Sequence, residues 1–144
     1  MTLARWLVMV FCISLWGCAS VPEGNFTHAP DGVYQVMAHD VVSRLSGLHP
    51  PAHTMIHIKS QKADAFTTLL IQSLRRKGYS VNEQTTLKTR AAGMQVVMLS
   101  YVLDEPLKSG IYRITLNTGA HVLSRAWRAQ DSSIQPLGLW VYRE

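Results

Sequence analysis

The chain has 144 residues, 47% apolar and 16% charged, with a formal net charge of +5 and two cysteines. That length provides one hydrophobic core and is too short for two ordinary domains. The basic excess is spread along the sequence and forms no Lys/Arg block, which argues against direct nucleic-acid binding.

The first segment separates from the rest. Arg5 supplies a positive start, and Trp6 to Trp16 is an apolar run without a charge. The run is about 11 residues, short of the roughly 18 to 20 that span a bilayer as a helix, so it reads as a signal peptide over residues 1–17. Its end, Leu15-Trp16-Gly17-Cys18, fits the lipobox, in which the cysteine receives diacylglycerol before cleavage ahead of it; Trp16 is bulkier than the usual residue. Cys12 is discarded with the signal, and a thioether at Cys18 leaves no thiol for a disulfide, a metal or nucleophilic catalysis. Ala19 is not the aspartate that retains lipoproteins in the inner membrane, so the expected location is the periplasmic leaflet of the outer membrane. Residues 18–30, with Pro22, Gly24, Asn25 and Pro30, read as a lipidated tether reaching at most about 40 Å.

Residues 31–144 read as a single domain. Asp31 is a candidate cap for a helix whose apolar positions are Val33, Met37, Val41, Leu45 and Leu48, stopped by Gly47 and Pro50-Pro51. Thr54 to Lys59 alternates as a strand. A second helix runs from about Ala63 to Lys77 on Phe66, Leu69, Leu70 and Leu74, with Asp64 at its start and Gly78 as a left-handed C-cap. The Arg75-Arg76-Lys77 cluster then suits a helix C-terminus better than a nucleic acid. Tyr79 to Glu83 is a short strand, Gln84 to Gly93 a loop and Met94 to Leu103 a long strand. Ile111 to Leu116 and His121 to Arg128 form a hairpin. A turn at Gln130 to Ser133, an irregular Ile134 to Gly138 and a short apolar tail, Leu139 to Tyr142, complete the chain. The order predicts an α+β fold, with two helices packed on one face of a mostly antiparallel sheet of four to six strands. The other face carries Arg113, Thr115, Arg125 or Arg128 according to register.

Catalytic chemistry finds little to use. His49, His53 and His57 recur at four-residue spacing, but Pro50 and Pro51 forbid the helix that would align them, and no carboxylate lies nearby to orient them. They read as a solvated loop and strand edge, with no metal and no cofactor expected. There is no Gly-x-Ser-x-Gly elbow, Ser-x-x-Lys pair or Gly-rich phosphate loop, and Asp104-Glu105 before Pro106 reads as a solvated strand end. The expectation is a protein that is not an enzyme. Aromatic and arginine side chains interleave near the end, and Arg113, Arg125, Trp127, Arg128, Trp140 and Arg143 are the candidate interface residues, because Trp and Arg dominate interface hot spots.

Several segments together carry a family likeness. They are the lipobox, Pro50-Pro51-Ala52 before a strand, and the helix end Leu74-Arg75-Arg76-Lys77-Gly78-Tyr79. Near the C-terminus come Tyr112-Arg113-Ile114-Thr115-Leu116, the run from Leu123 to Asp131 and the closing Trp140-Val141. In this order the chain resembles the TrbH family of conjugal transfer lipoproteins over nearly its whole length. The resemblance implies a component of a type IV secretion system, present in multiple copies in a ring and touching outer-membrane and channel subunits. Cys18 is the one functional residue it carries over. The residues alone also fit a freestanding periplasmic lipoprotein that binds peptidoglycan, lipid or protein, or that excludes an incoming mating pair.

Overall fold

The computed structural model describes residues 22–59, 64–84, 93–130 and 133–144. The signal segment, Cys18 and most of the loop over 84–93 lie outside them. Among the described residues are seven strands and two α-helices: β1 (Gly24–Asn25), α1 (Asp31–Leu48), β2 (Thr54–Ile58), α2 (Ala65–Lys77), β3 (Ser80–Asn82), β4 (Gln95–Asp104), β5 (Ile111–Asn117), β6 (Val122–Gln130) and β7 (Ser133–Arg143). The α+β class holds.

The sheet is mixed, whereas the sequence pattern indicates a mostly antiparallel one. Its order is β3-β2-β4-β5-β6-β7, with β1 beside β4. The pairings β2 with β3, β2 with β4 and β1 with β4 are parallel; β4 to β7 form an antiparallel meander. The physical reason is α2: a helix between two strands of one sheet is a crossover that returns the chain in the same direction. Seven strands replace four to six because both ends of the described chain join the sheet.

The helices form for local reasons. α2 is capped by Asp64, whose Oδ1 accepts from the Thr67 amide at 3.0 Å, and it ends at Gly78 with φ 99°. Only glycine takes that left-handed turn without steric cost. α1 starts differently from the sequence expectation. Pro30, extended and without a side-chain bond, precedes it, and Asp31 is already in the first turn, where its charge suits the helix dipole. Gly47 stays inside the helix, which stops at His49 before the two prolines. The buried side of α1 is Tyr34, Met37, Ala38, Val41, Val42 and Leu45.

Register fixes which strand residues share a face. Val97, Leu99, Tyr101 and Leu103 of β4 are buried on one face, with Ile56 and Ile58 beside them on β2 and Ile114 and Leu116 on β5. Side chains of both helices touch this inner face. The Thr67 and Tyr101 hydroxyls are 2.6 Å apart, and the Phe66 ring meets those of Tyr34 and Tyr101 edge-on. Burial of Tyr101 and the charge of Asp64 raise its phenol well above the usual range, so it stays neutral.

From Gly24 onward the stretch read as a tether is laid against the domain. β1 pairs with Val102 and Leu103, and the Phe26 amide donates to Leu103 at 2.8 Å. Thr27 and Ala29 are buried, and the Tyr34 hydroxyl binds Asn25, Thr27 and Ala29. A short extended segment rich in Pro, Gly and Asn has no periodicity to reveal that it docks. The strap becomes visible only when the edge of β4 beside it exists.

Candidate functional site

β7 is the longest strand and forms an edge of the sheet. Its sequence reads as irregular because Pro136 and Gly138 interrupt it. Both are compatible with an edge: proline is tolerated where no ladder donor is needed, and Gly138, at φ 77°, lies in a bulge. The bulge is large. Ala126 pairs with Leu137 and Ser124 with Val141, so Gly138, Leu139 and Trp140 together oppose Arg125 alone.

One clamp holds this bulge. The Arg125 guanidinium Nη1 donates to both oxygens of Asp40 on α1, at 3.0 and 2.9 Å, while Nη2 donates to the Gly138 carbonyl at 3.0 Å. The indole Nε1 of Trp127 donates to Asp40 Oδ2 at 3.1 Å, and that of Trp140 to Oδ1 at 3.4 Å. The two indoles meet edge-on at 5.8 Å, and the Arg125 guanidinium lies 5.8 Å from the Trp140 ring. A single carboxylate on the first helix thus collects three donors from β6 and β7 and fixes the shape of the last strand.

Held this way, β7 presents apolar side chains outward. Leu139 projects from the bulge at 86% exposure, and Leu137 and Val141 are exposed on the outer face of the sheet. At the other side of that face Phe26 and Met98 are also exposed. Between them run Val102, Thr115, Ser124 and Ala126, all half-buried and uncharged. The outer face thus carries exposed apolar side chains at both sides of a centre that also holds the Arg113–Asp104 pair.

The candidate interface residues divide. Trp127 is wholly buried, so it is a core residue of the clamp and unavailable to grip a neighbour. Arg125 is turned inward, and Trp140 is half-buried against it. Arg113 is on the outer face but paired with Asp104 through two bonds, at 3.1 and 2.6 Å, which raises its pKa further. Arg128 and Arg143 are exposed. Cys18 lies outside the described residues. Asp104 and Glu105 act in hairpin geometry: Glu105 Oε1 accepts from the Gly110 amide at 2.9 Å. Sequence reasoning missed Asp40 and Leu139. The signal for Asp40 is an acid three residues after Met37 and directly before Val41, on the flank of the apolar stripe.

The histidines also depart from a solvated loop. His49 and His57 are buried while His53 is exposed. The His49 ring is 6.5 Å from that of His121, whose Nδ1 is 2.6 Å from the Tyr142 hydroxyl. Burial, and then the neighbouring His121, lower the His49 pKa. Among the described residues, no group of three metal-capable side chains comes together.

Fold and site define a small α+β domain with an internally clamped edge strand and exposed apolar side chains on the outer face of its sheet. The profile of the TrbH family, conjugal transfer proteins, matches residues 20–144. The chain belongs to that family. No curated protein and no solved structure gives a significant match.

Proposed function

We propose that the protein is a structural lipoprotein of the outer-membrane core complex of a conjugative type IV secretion system, where it stabilises the channel through protein–protein contacts. The observation that carries this reading is the TrbH match over residues 20–144, which makes the chain a conjugal transfer component. The lipobox at Leu15-Trp16-Gly17-Cys18 supports an anchor in the periplasmic leaflet of the outer membrane. No described helix is long and apolar enough to cross a membrane. A structural and non-enzymatic role is supported by how the carboxylates are used: Asp40, Asp64, Asp104 and Glu105 are each engaged in holding an element in place. Several copies, arranged in a ring, suit a component of a channel wall.

The test is to tag the protein in a donor cell, crosslink the envelope and extract it natively. The reading predicts a large assembly containing channel subunits. Recovery of monomer alone, with no channel subunit crosslinked, would contradict it and favour a freestanding binding or exclusion lipoprotein.

A further inference from the structure

The docked strap changes where the anchor leaves the domain. Gly24 already pairs with Val102 of β4, and it lies six positions after Cys18. Six residue steps span at most about 21 Å. A leaflet holding a lipid on Cys18 is therefore within about that distance of the strap and of β4 beside it, far closer than a free tether over residues 18–30 would hold it.

Two sheet faces border the strap. The inner one is occupied by the helices: Asn25 points into it, bonding Tyr34 of α1 and Asp64 at the start of α2. Phe26, next in an extended chain, points the other way and is 52% exposed. On that outer side follow Met98 and, across the sheet, Leu137 and Val141, with Leu139 projecting from the bulge. Arg128 and Arg143 stand at opposite ends of this apolar stretch of β7, since Arg128 pairs in register with Gln135 and Arg143 with Val122. Both are exposed and form no ion pair with another described residue. Arg113, in contrast, is neutralised by Asp104.

We propose that this outer face is a membrane-docking surface. It lies on the leaflet that holds the Cys18 lipid, with Phe26, Leu139 and Val141 at the boundary between headgroups and acyl chains and with Arg128 and Arg143 on the phosphates of anionic phospholipid. Apolar side chains combined with cations are what interfacial binding requires. The helix layer then points away from the membrane, leaving α1 and α2 for protein partners. The proposal rests on lipidation of Cys18.

The test uses the lipidated protein reconstituted into vesicles of phosphatidylethanolamine and phosphatidylglycerol. With Cys12 removed and Cys18 acylated, an introduced cysteine is the only free thiol. Phe26→Cys and Leu139→Cys therefore each carry one environment-sensitive fluorophore, and Val36→Cys on the exposed side of α1 serves as the control. The expected result is blue-shifted emission and loss of most intensity to a lipid-borne quencher for the first two labels, and neither effect for the control. Arg128→Gln with Arg143→Gln should reduce the quenching. Water-like emission from the Phe26 and Leu139 positions, with acylation of Cys18 verified by mass, would overturn the docking proposal and leave the anchor standing. Protection of those two labels in native envelopes but not in vesicles would also overturn it, assigning the face to a protein partner. An unacylated Cys18 would remove the anchor, and this proposal with it.

Discussion

Arg125 and Asp40 are 85 positions apart in sequence, and one guanidinium nitrogen of Arg125 reaches both oxygens of the Asp40 carboxylate, at 3.0 and 2.9 Å. Their side chains are 15% and 26% exposed, so the pair is screened less than a surface ion pair but is not fully desolvated. The pair ties the first helix to the last strand, and the conformation of the apolar bulge depends on it.

Asp40→Ala removes the acceptor for Arg125, Trp127 and Trp140 together. The expected loss is about 2 to 4 kcal/mol, because the buried indole N–H of Trp127 and a half-buried guanidinium lose their partner. Urea denaturation measures the loss, and hydrogen exchange should show β7 opening before β4.

Arg113→Ala, in contrast, breaks a well-formed but solvent-exposed pair with Asp104. The expected cost is below about 1 kcal/mol and shrinks further in high salt. A cost comparable to that of Asp40→Ala would show that exposure is a poor guide to these two pairs.

Leu107 and Lys108 both have left-handed backbone, φ 57° and 48°, in the β4–β5 connection, and Leu107 is 98% exposed. Leu107→Gly relieves a conformation that costs a side-chain-bearing residue about 1 kcal/mol and loses almost no packing. Because glycine also gains freedom in the unfolded chain, the net change should lie within about 0.5 kcal/mol of zero. A loss above about 2 kcal/mol would mean that Leu107 packs where the structure shows none.

Stability should fall at both ends of the pH scale. The folded-state pKa of His49 is depressed below 6.5 by burial and by His121, so below that pH the unfolded chain binds the extra proton more readily. Stability is then present above about pH 6.5 and is lost as pH falls towards the folded pKa. At the alkaline end, burial pushes the Tyr79 phenol up to about 12, so the unfolded chain ionises first and stability declines as pH rises from 10 through 12. Thermal melts from pH 5 to 11 check both limbs, and His49→Gln should flatten the acid limb alone.

The parts legible in the sequence were those with their own local code. α2 was readable from Asp64, its apolar spacing and Gly78, and the hairpin of β5 and β6 from alternation around Asn117 to Ala120. The parts that were not legible depend on partners distant in the chain. β1 has two residues and exists because β4 offers an edge; β7 contains Pro136 and Gly138, which signal a break unless the strand lies at an edge and bulges around Arg125. Of the candidate interface residues, Trp127 was misplaced because sequence cannot distinguish an aromatic that bonds a half-buried carboxylate from one that faces solvent. Register decided that Arg125 points inward while Arg113 and Arg128 point outward, and a shift by one residue would have reversed them.

The most direct test of the central claim, a lipid-anchored component of a conjugative channel, is the transfer frequency of donors carrying Cys18→Ser, with the level and membrane fraction of the protein followed in the same cells. The exported, unlipidated domain should still be made and should leave the membrane fraction, and transfer should collapse. Undiminished transfer with the protein free in the periplasm would contradict it.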